Sequence, residues 1–267
     1  MTKRLFLLLA LFFALTNTIA QESTASKQVS TFMIEAPQLQ TTKKIWVYLP
    51  KDYENSKKKY SVIYMHDAQN LFDAKTSYAG EWNVDEKLDS INAQLIVIGI
   101  EHGNEKRMEE LTPFKNEKYG GGNADAYLEF IVKTLKPQID QKYRTKIKKK
   151  NTLIMGSSLG GLVSFYAILK YPKVFGKAGV FSPSFWFSDK IYDVAENTKK
   201  IKSKIYFMCG DNESEDMVSD LNKMEYLINT KRCYCLNLNQ KRIISGGQHN
   251  EKLWRDGFTK AILWLGY

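Results

Sequence analysis

Gly156-Ser157-Ser158-Leu159-Gly160, followed by Gly161, places Ser158 at the centre of a G-x-S-x-G pattern. By composition alone about one chain of this length in ten carries such a pattern, so its surroundings must decide its meaning. Residues Asn151–Met155 read as a buried strand and Leu162–Lys170 as an apolar helix, so Ser158 falls on the turn between them. Such a turn forces strained dihedrals on the serine, and the glycines relieve the crowding around it. The hydroxyl then stands at a helix N-terminus, and the Leu159 N–H points to where negative charge develops during acyl transfer. Ser157 lies one register off and reads as a supporting residue.

A serine hydroxyl is a poor nucleophile until a base takes its proton. The histidines are His66, His102 and His249. On this kind of strand–turn–helix the chain order is serine, acid, histidine, which leaves His249 in the loop Ser245-Gly246-Gly247-Gln248-His249-Asn250. The acid belongs after the strand Lys204–Cys209. Four carboxylates compete there, Asp211, Glu213, Glu215 and Asp216, and position alone does not choose among them. One would orient the imidazole and stabilise its protonated form, while the others cap or solvate the next helix.

The elements that must hold these groups alternate along the chain. Thr31–Glu35, Lys44–Leu49, Tyr60–Met65, Leu95–Ile100, Asn151–Met155, Ala178–Phe181, Lys204–Cys209 and Tyr234–Ile244 suit strands. Ala124–Asp140, Ser158–Lys170, Asp216–Asn229 and Leu253–Leu265 have helical patterning. This alternation predicts an α/β fold with a mostly parallel central sheet and helices on both faces. Glu101–Asn123 is the longest irregular stretch and reads as a binding loop; Lys142–Lys150 reads as a solvated basic connection.

The N-terminus has a basic start, Lys3-Arg4, an apolar run from Leu5 to Leu15, and Thr18-Ile19-Ala20 as a small-x-small site. This predicts a signal peptide over residues 1–20, a polar lead-in over 21–30 and one domain over 31–267, secreted or periplasmic, with no stable membrane insertion after leader removal. Lys3 and Arg4 would leave with the leader, taking the formal charge from +10 to +8. No nucleic-acid motif accompanies that charge, so a nucleic-acid partner is not expected. A hydrophobic share of 43% excludes a disordered chain. Two of Cys209, Cys233 and Cys235 can pair in an oxidising compartment, and three buried free thiols are the equal alternative.

These residues resemble the Putative esterase family of α/β-hydrolases. Its members include S-formylglutathione hydrolases, enterobactin-type siderophore esterases, feruloyl and acetyl-xylan esterases and mycolyltransferases. Tyr64–Asp73 looks like the family's oxyanion strand and loop, and Arg107 with Glu110-Leu111-Thr112-Pro113 like a recurrent active-site loop. Gly156–Gly161, Phe181–Trp186, Gly246–His249 and Trp254-Arg255 carry the rest. The resemblance implies an α/β-hydrolase fold. It points to Glu213, three residues after Gly210, as the acid, with Asp211 and Asp216 behind it. It also implies the Gln69 N–H as a second oxyanion donor beside Leu159. Ala68 stands where glycine is frequent, and would be strained if the position needs positive φ.

Trp82, His102, Arg107 and Trp186 are candidate substrate-binding residues. Arg107 either meets an anionic group or pairs with Glu109 or Glu110. His66 and Asp67 read as structural or substrate-facing, and with Asp73 they do not amount to a metal site. The expectation is a serine carboxylic ester hydrolase working through a Ser158–His249–Glu213 triad and an acyl-enzyme, with no metal or cofactor. Its substrates would be small-molecule or saccharide esters, of the acetyl, feruloyl or siderophore type. An acyltransferase with the same triad, or a non-catalytic binding module on the same fold, is the alternative.

Overall fold

The computed structural model describes residues 22–231 and 238–267. The expected leader, Cys233, Cys235 and the start of the strand expected from Tyr234 lie outside them. The strands are β1 (Val29–Ala36), β2 (Thr41–Tyr48), β3 (Ser61–His66), β4 (Leu95–Ile100), β5 (Thr152–Ser157), β6 (Lys177–Phe181), β7 (Lys204–Gly210) and β8 (Asn239–Ile244). The helices are α1 (Val84–Ser90), α2 (Arg107–Leu111), α3 (Ala124–Glu129), α4 (Lys136–Lys142), α5 (Leu159–Lys170), α6 (Lys190–Asn197), α7 (Met217–Thr230) and α8 (Glu251–Leu265).

The eight strands form one sheet in the order β1-β2-β4-β3-β5-β6-β7-β8. β2 runs antiparallel to both neighbours, and every other pairing is parallel. The parallel strands are covered on both faces, so they read as continuous apolar runs whose alternate residues enter different layers. Val62 and Tyr64 of β3, Ile154 of β5 and Phe207 of β7 pack with α3 to α7. Ile63 and Met65, Met155, and Tyr206 and Met208 pack on the other face with α1 and α8. Among the described residues no helix is long and apolar enough to cross a membrane.

Two departures from the sequence reading have local causes. The helix expected over Ala124–Asp140 changes to a wider π turn over Phe130–Leu135 before resuming as α4. The wide turn stands directly ahead of Pro137, which lacks an N–H and whose ring disrupts a regular α turn. The loop Glu101–Asn123 contains α2, which a buried ion pair fastens to the sheet: Lys43 Nζ of β2 is 2.5 Å from Glu110 Oε2. The topology brings the C-terminal ends of β3, β5 and β7 to one edge, where open parallel sheets place their sites.

Candidate active site

Ser158 links β5 to α5 with φ 57° and ψ −123°, a conformation that costs free energy in any residue with a Cβ. Its backbone is held on both sides. The Ser158 N–H donates to the Phe181 carbonyl (3.0 Å), and its own carbonyl accepts from the Leu162 and Ser184 N–H groups (3.0 and 3.1 Å). The flanking glycines are required by space. A Cβ on Gly156 would lie 2.9 Å from both the Gly160 carbonyl carbon and His66 Cδ2, and one on Gly161 would lie 2.7 Å from the Phe181 oxygen. The Ser158 and Ser184 hydroxyl oxygens are 3.3 Å apart.

His249 occupies the loop between β8 and α8, whose first turn is capped by Asn250 Oδ1 accepting from the Leu253 N–H (3.0 Å). His249 Nδ1 lies 2.6 Å from Glu213 Oε2, and the Glu213 side chain is 1% exposed. The other oxygen, Glu213 Oε1, accepts from the Gly210 N–H (2.5 Å) and the Ser182 hydroxyl (2.7 Å). Ser182 in turn accepts from Trp254 Nε1 at 2.8 Å, and the Trp254 ring meets the His249 ring edge-on at 5.0 Å. With Nδ1 engaged, Nε2 is the ring nitrogen available to the cleft that Ser158 and His249 both line. Asp211, an alternative acid, is exposed and accepts from the Gly246 N–H (2.7 Å); Asp216 is exposed at the start of α7.

After β3 the chain turns through Asp67, with φ 55°, into a short 3-10 turn at Ala68–Asn70. The positive φ therefore falls on Asp67, and Ala68 is not strained. The Ala68 methyl fits because it faces Gly99 of β4, where an added Cβ would lie 2.8 Å away. The Gln69 and Leu159 N–H groups both sit in first turns, where no helical carbonyl precedes them, and both residues stand by the elbow. Gln69 also keeps a sealed side-chain oxygen, Oε1, without a donor.

Arg107 pairs with neither Glu109 nor Glu110. Its Nε and Nη2 grip Asp67 Oδ1 and Oδ2 at 2.7 and 2.9 Å, because α2 carries it over the β3 turn while Glu110 points down to Lys43. Burial alone would raise the Asp67 carboxyl, but the Arg107 guanidinium overrides it and holds the group below its ordinary range. His66 is buried beside it with Nδ1 2.7 Å from the Tyr127 hydroxyl. Burial lowers the His66 pKa to about 4, so the ring is neutral near pH 7.

The cleft encloses about 360 Å³, within the usual range for small-molecule sites. His102, Arg107 and Trp82 line it. Trp82 is a floor residue, 3% exposed and stacked on Phe181. Trp186 stands elsewhere, 52% exposed and edge-on to Tyr119. Sequence reasoning missed Glu251, a largely buried carboxylate in the cleft whose pKa burial raises, and the link Ser182–Trp254 behind Glu213. Glu251 lies two residues beyond His249, so its position beside the base was the available signal.

Residues 36–265 match the family described as Putative esterase. An uncharacterized protein of Bacillus subtilis, YbbA, is 27% identical over 235 residues, covering 82% of this chain and 90% of that protein. The ferri-bacillibactin esterase BesA of the same organism is 31% identical over 140 residues, covering 47% of this chain and 48% of its own. An endo-1,4-beta-xylanase/feruloyl esterase of Xylanibacter ruminicola is 28% identical over 179 residues, covering 65% of this chain and 23% of its own. Among solved structures, the BES protein from Bacillus cereus superposes with a TM-score of 0.73 at 17% identity, covering 94% of this chain and 99% of that one. The chain thus belongs to the Putative esterase family, a carboxylic ester hydrolase on the α/β-hydrolase fold.

Proposed function

We propose that the ester is cleaved by Ser158, His249 and Glu213 through an acyl-enzyme. His249 Nε2 takes the proton from the Ser158 hydroxyl as its oxygen attacks the ester carbonyl carbon. The Leu159 and Gln69 N–H groups donate to the oxyanion. Collapse of the tetrahedral intermediate expels the alcohol, which leaves with the proton from His249. Water, deprotonated by the same nitrogen, then releases the acid and restores Ser158. Glu213 keeps Nδ1 protonated and stabilises the imidazolium. The observation that carries this reading is the 2.6 Å contact between His249 Nδ1 and the sealed Glu213 carboxylate, across the cleft from a serine on a strained elbow.

The substrates we infer are small-molecule or saccharide esters of aromatic or acetyl acids, or siderophore-type esters. Support comes from the names of the siderophore and feruloyl esterases to which the chain is similar and from a cleft that pairs an aromatic floor with the cationic Arg107. A secreted or periplasmic location is part of the proposal, on the N-terminal pattern of basic, apolar and small residues.

The test is labelling of the purified protein with a fluorophosphonate, read by peptide mass spectrometry beside Ser158→Ala. An adduct on Ser158 that is absent from the variant is expected. No adduct on folded protein would remove the triad with Ser158 as its nucleophile.

A further inference from the structure

Glu251 lines the cleft, and neither the proposed triad nor the oxyanion loop uses it. It is the first residue of α8, two positions beyond His249, and 8% of it is exposed. Its stem rests against the adjoining wall: a Cβ added to Gly80 would lie 3.6 Å from Glu251 Cβ. Tyr78, Ala79 and Trp82 of that wall line the same cleft. Hydrogen bonds fix the wall, from the Trp82 N–H to the Asn70 carbonyl (2.8 Å) and from the Tyr78 N–H to Asn70 Oδ1 (3.1 Å).

The charges of the cleft do not cancel at this position. Asp67 and Arg107 neutralise each other through two bonds, and Glu213 is held by His249. Among the described residues Glu251 forms no ion pair and takes no hydrogen bond from another side chain. Burial raises its carboxyl, and Arg107 and His249 oppose that shift from a distance. A carboxylate shut away from water without donors is costly, so a ligand that brings donors is favoured beside it. Ionised, it accepts hydrogen bonds and donates none, which suits hydroxyl groups and repels a second anion.

The position also selects which half of the ester it meets. In the proposed mechanism, on which this inference rests, His249 Nε2 hands its proton to the departing alcohol oxygen. A carboxylate beside His249 therefore faces the alcohol half. Trp82 gives that half an apolar floor, and Tyr78, 94% exposed, gives it an aromatic rim. Sugar rings have apolar C–H faces and hydroxyl edges, and aromatic surface beside an acceptor matches both. We propose that Glu251 is a specificity residue for the alcohol half of the ester, accepting hydrogen bonds from a neutral saccharide or polyol and turning away alcohols that carry a carboxylate.

The test compares two acetyl esters of equal size, an O-acetylated methyl glucoside and the matching O-acetylated methyl glucuronoside, at pH 8 and low salt. The wild type should cleave the neutral ester with a kcat/KM about tenfold higher. Glu251→Gln keeps the shape and removes the charge. It should bring the two esters within about twofold, by a gain on the anionic ester and a loss on the neutral one. Failure of the wild type to cleave the neutral ester, or equal or reversed rates, overturns the proposal without any variant. A preference that survives unchanged in Glu251→Gln overturns it too. Fluorophosphonate labelling of the same samples separates the two readings. With the Ser158 adduct present, those outcomes remove only the role of Glu251; without it, the triad falls as well.

Discussion

Two carboxylates paired with nitrogen side chains flank the cleft, and the pairs are built for opposite tasks. Glu213 is sealed, takes three hydrogen bonds and faces the His249 imidazole, the proton carrier of the proposed mechanism. Asp67 faces Arg107 through two parallel bonds, and a guanidinium keeps its charge at every working pH. On the proposed mechanism the first pair changes charge within each turnover, while the second holds a constant field at the cleft wall. A sealed carboxylate is best placed where charge appears briefly, because the low local dielectric strengthens its effect. The half-open Arg107, 31% exposed, suits contact with a ligand that must enter and leave.

The largest expected effect separates the pairs by rate. Glu213→Gln should lower kcat by about 10³ to 10⁴ with KM little changed, since the wrong imidazole tautomer is favoured. Arg107→Lys should act mainly on KM, by about tenfold. If Arg107→Lys costs kcat as much as Glu213→Gln does, the division of tasks fails.

The next effect is on stability and concerns His66, the buried neighbour of Asp67 in the chain. Its folded pKa, about 4, lies below the ordinary 6.5. Between those values the unfolded chain binds more protons at this site, so the His66 contribution to stability falls as pH drops from 6.5 to 4, by up to about 3 kcal/mol. The Asp67 carboxyl is held below its ordinary range, so its contribution is full above about pH 4 and is lost only at lower pH. On going from pH 5 to pH 7, the unfolding free energy read by urea should therefore rise by about 2 kcal/mol more in wild type than in His66→Gln. An equal slope in the variant would move the effect to another group.

Arg107→Ala should lower unfolding free energy by roughly 2 kcal/mol. That is less than the loss for a fully buried pair, because the guanidinium is partly solvated. The smallest effect belongs to Ser182→Ala. It removes one bond to Glu213 and the acceptor of Trp254 Nε1, and should cost about 1 kcal/mol of stability and about tenfold in kcat. An unchanged kcat would mean that Gly210 and the fold alone position Glu213.

Much of the geometry was legible because it follows from local pattern. The elbow announces itself through small residues on a strand–helix turn, and His249 through chain order. The choice of Glu213 over Asp211 and Asp216 was not legible in spacing, since all three lie on the same loop. The contact with His249 depends on which carboxylate folds under Ser182 and the Gly210 N–H, and only the family resemblance pointed to Glu213. The partner of Arg107 was misread because adjacent acids on α2 point elsewhere: Glu110 descends to Lys43, and Asp67 arrives from 40 residues away in sequence. Trp82 and Trp186 looked equivalent in sequence, and only packing separates a floor residue from an exposed one.

The contact between Ala68 and Gly99 gives the oxyanion loop a shared allowance of volume. One methyl fits between β4 and the loop, on the side of Ala68, since a methyl on Gly99 would also press on Phe72 at 3.1 Å. A designer who restores glycine at position 68 opens a void beneath the loop, while alanine at position 99 would push against the segment carrying the Gln69 N–H. The volume at these two positions is therefore already committed, and the small residue on β4 is the one the loop cannot release.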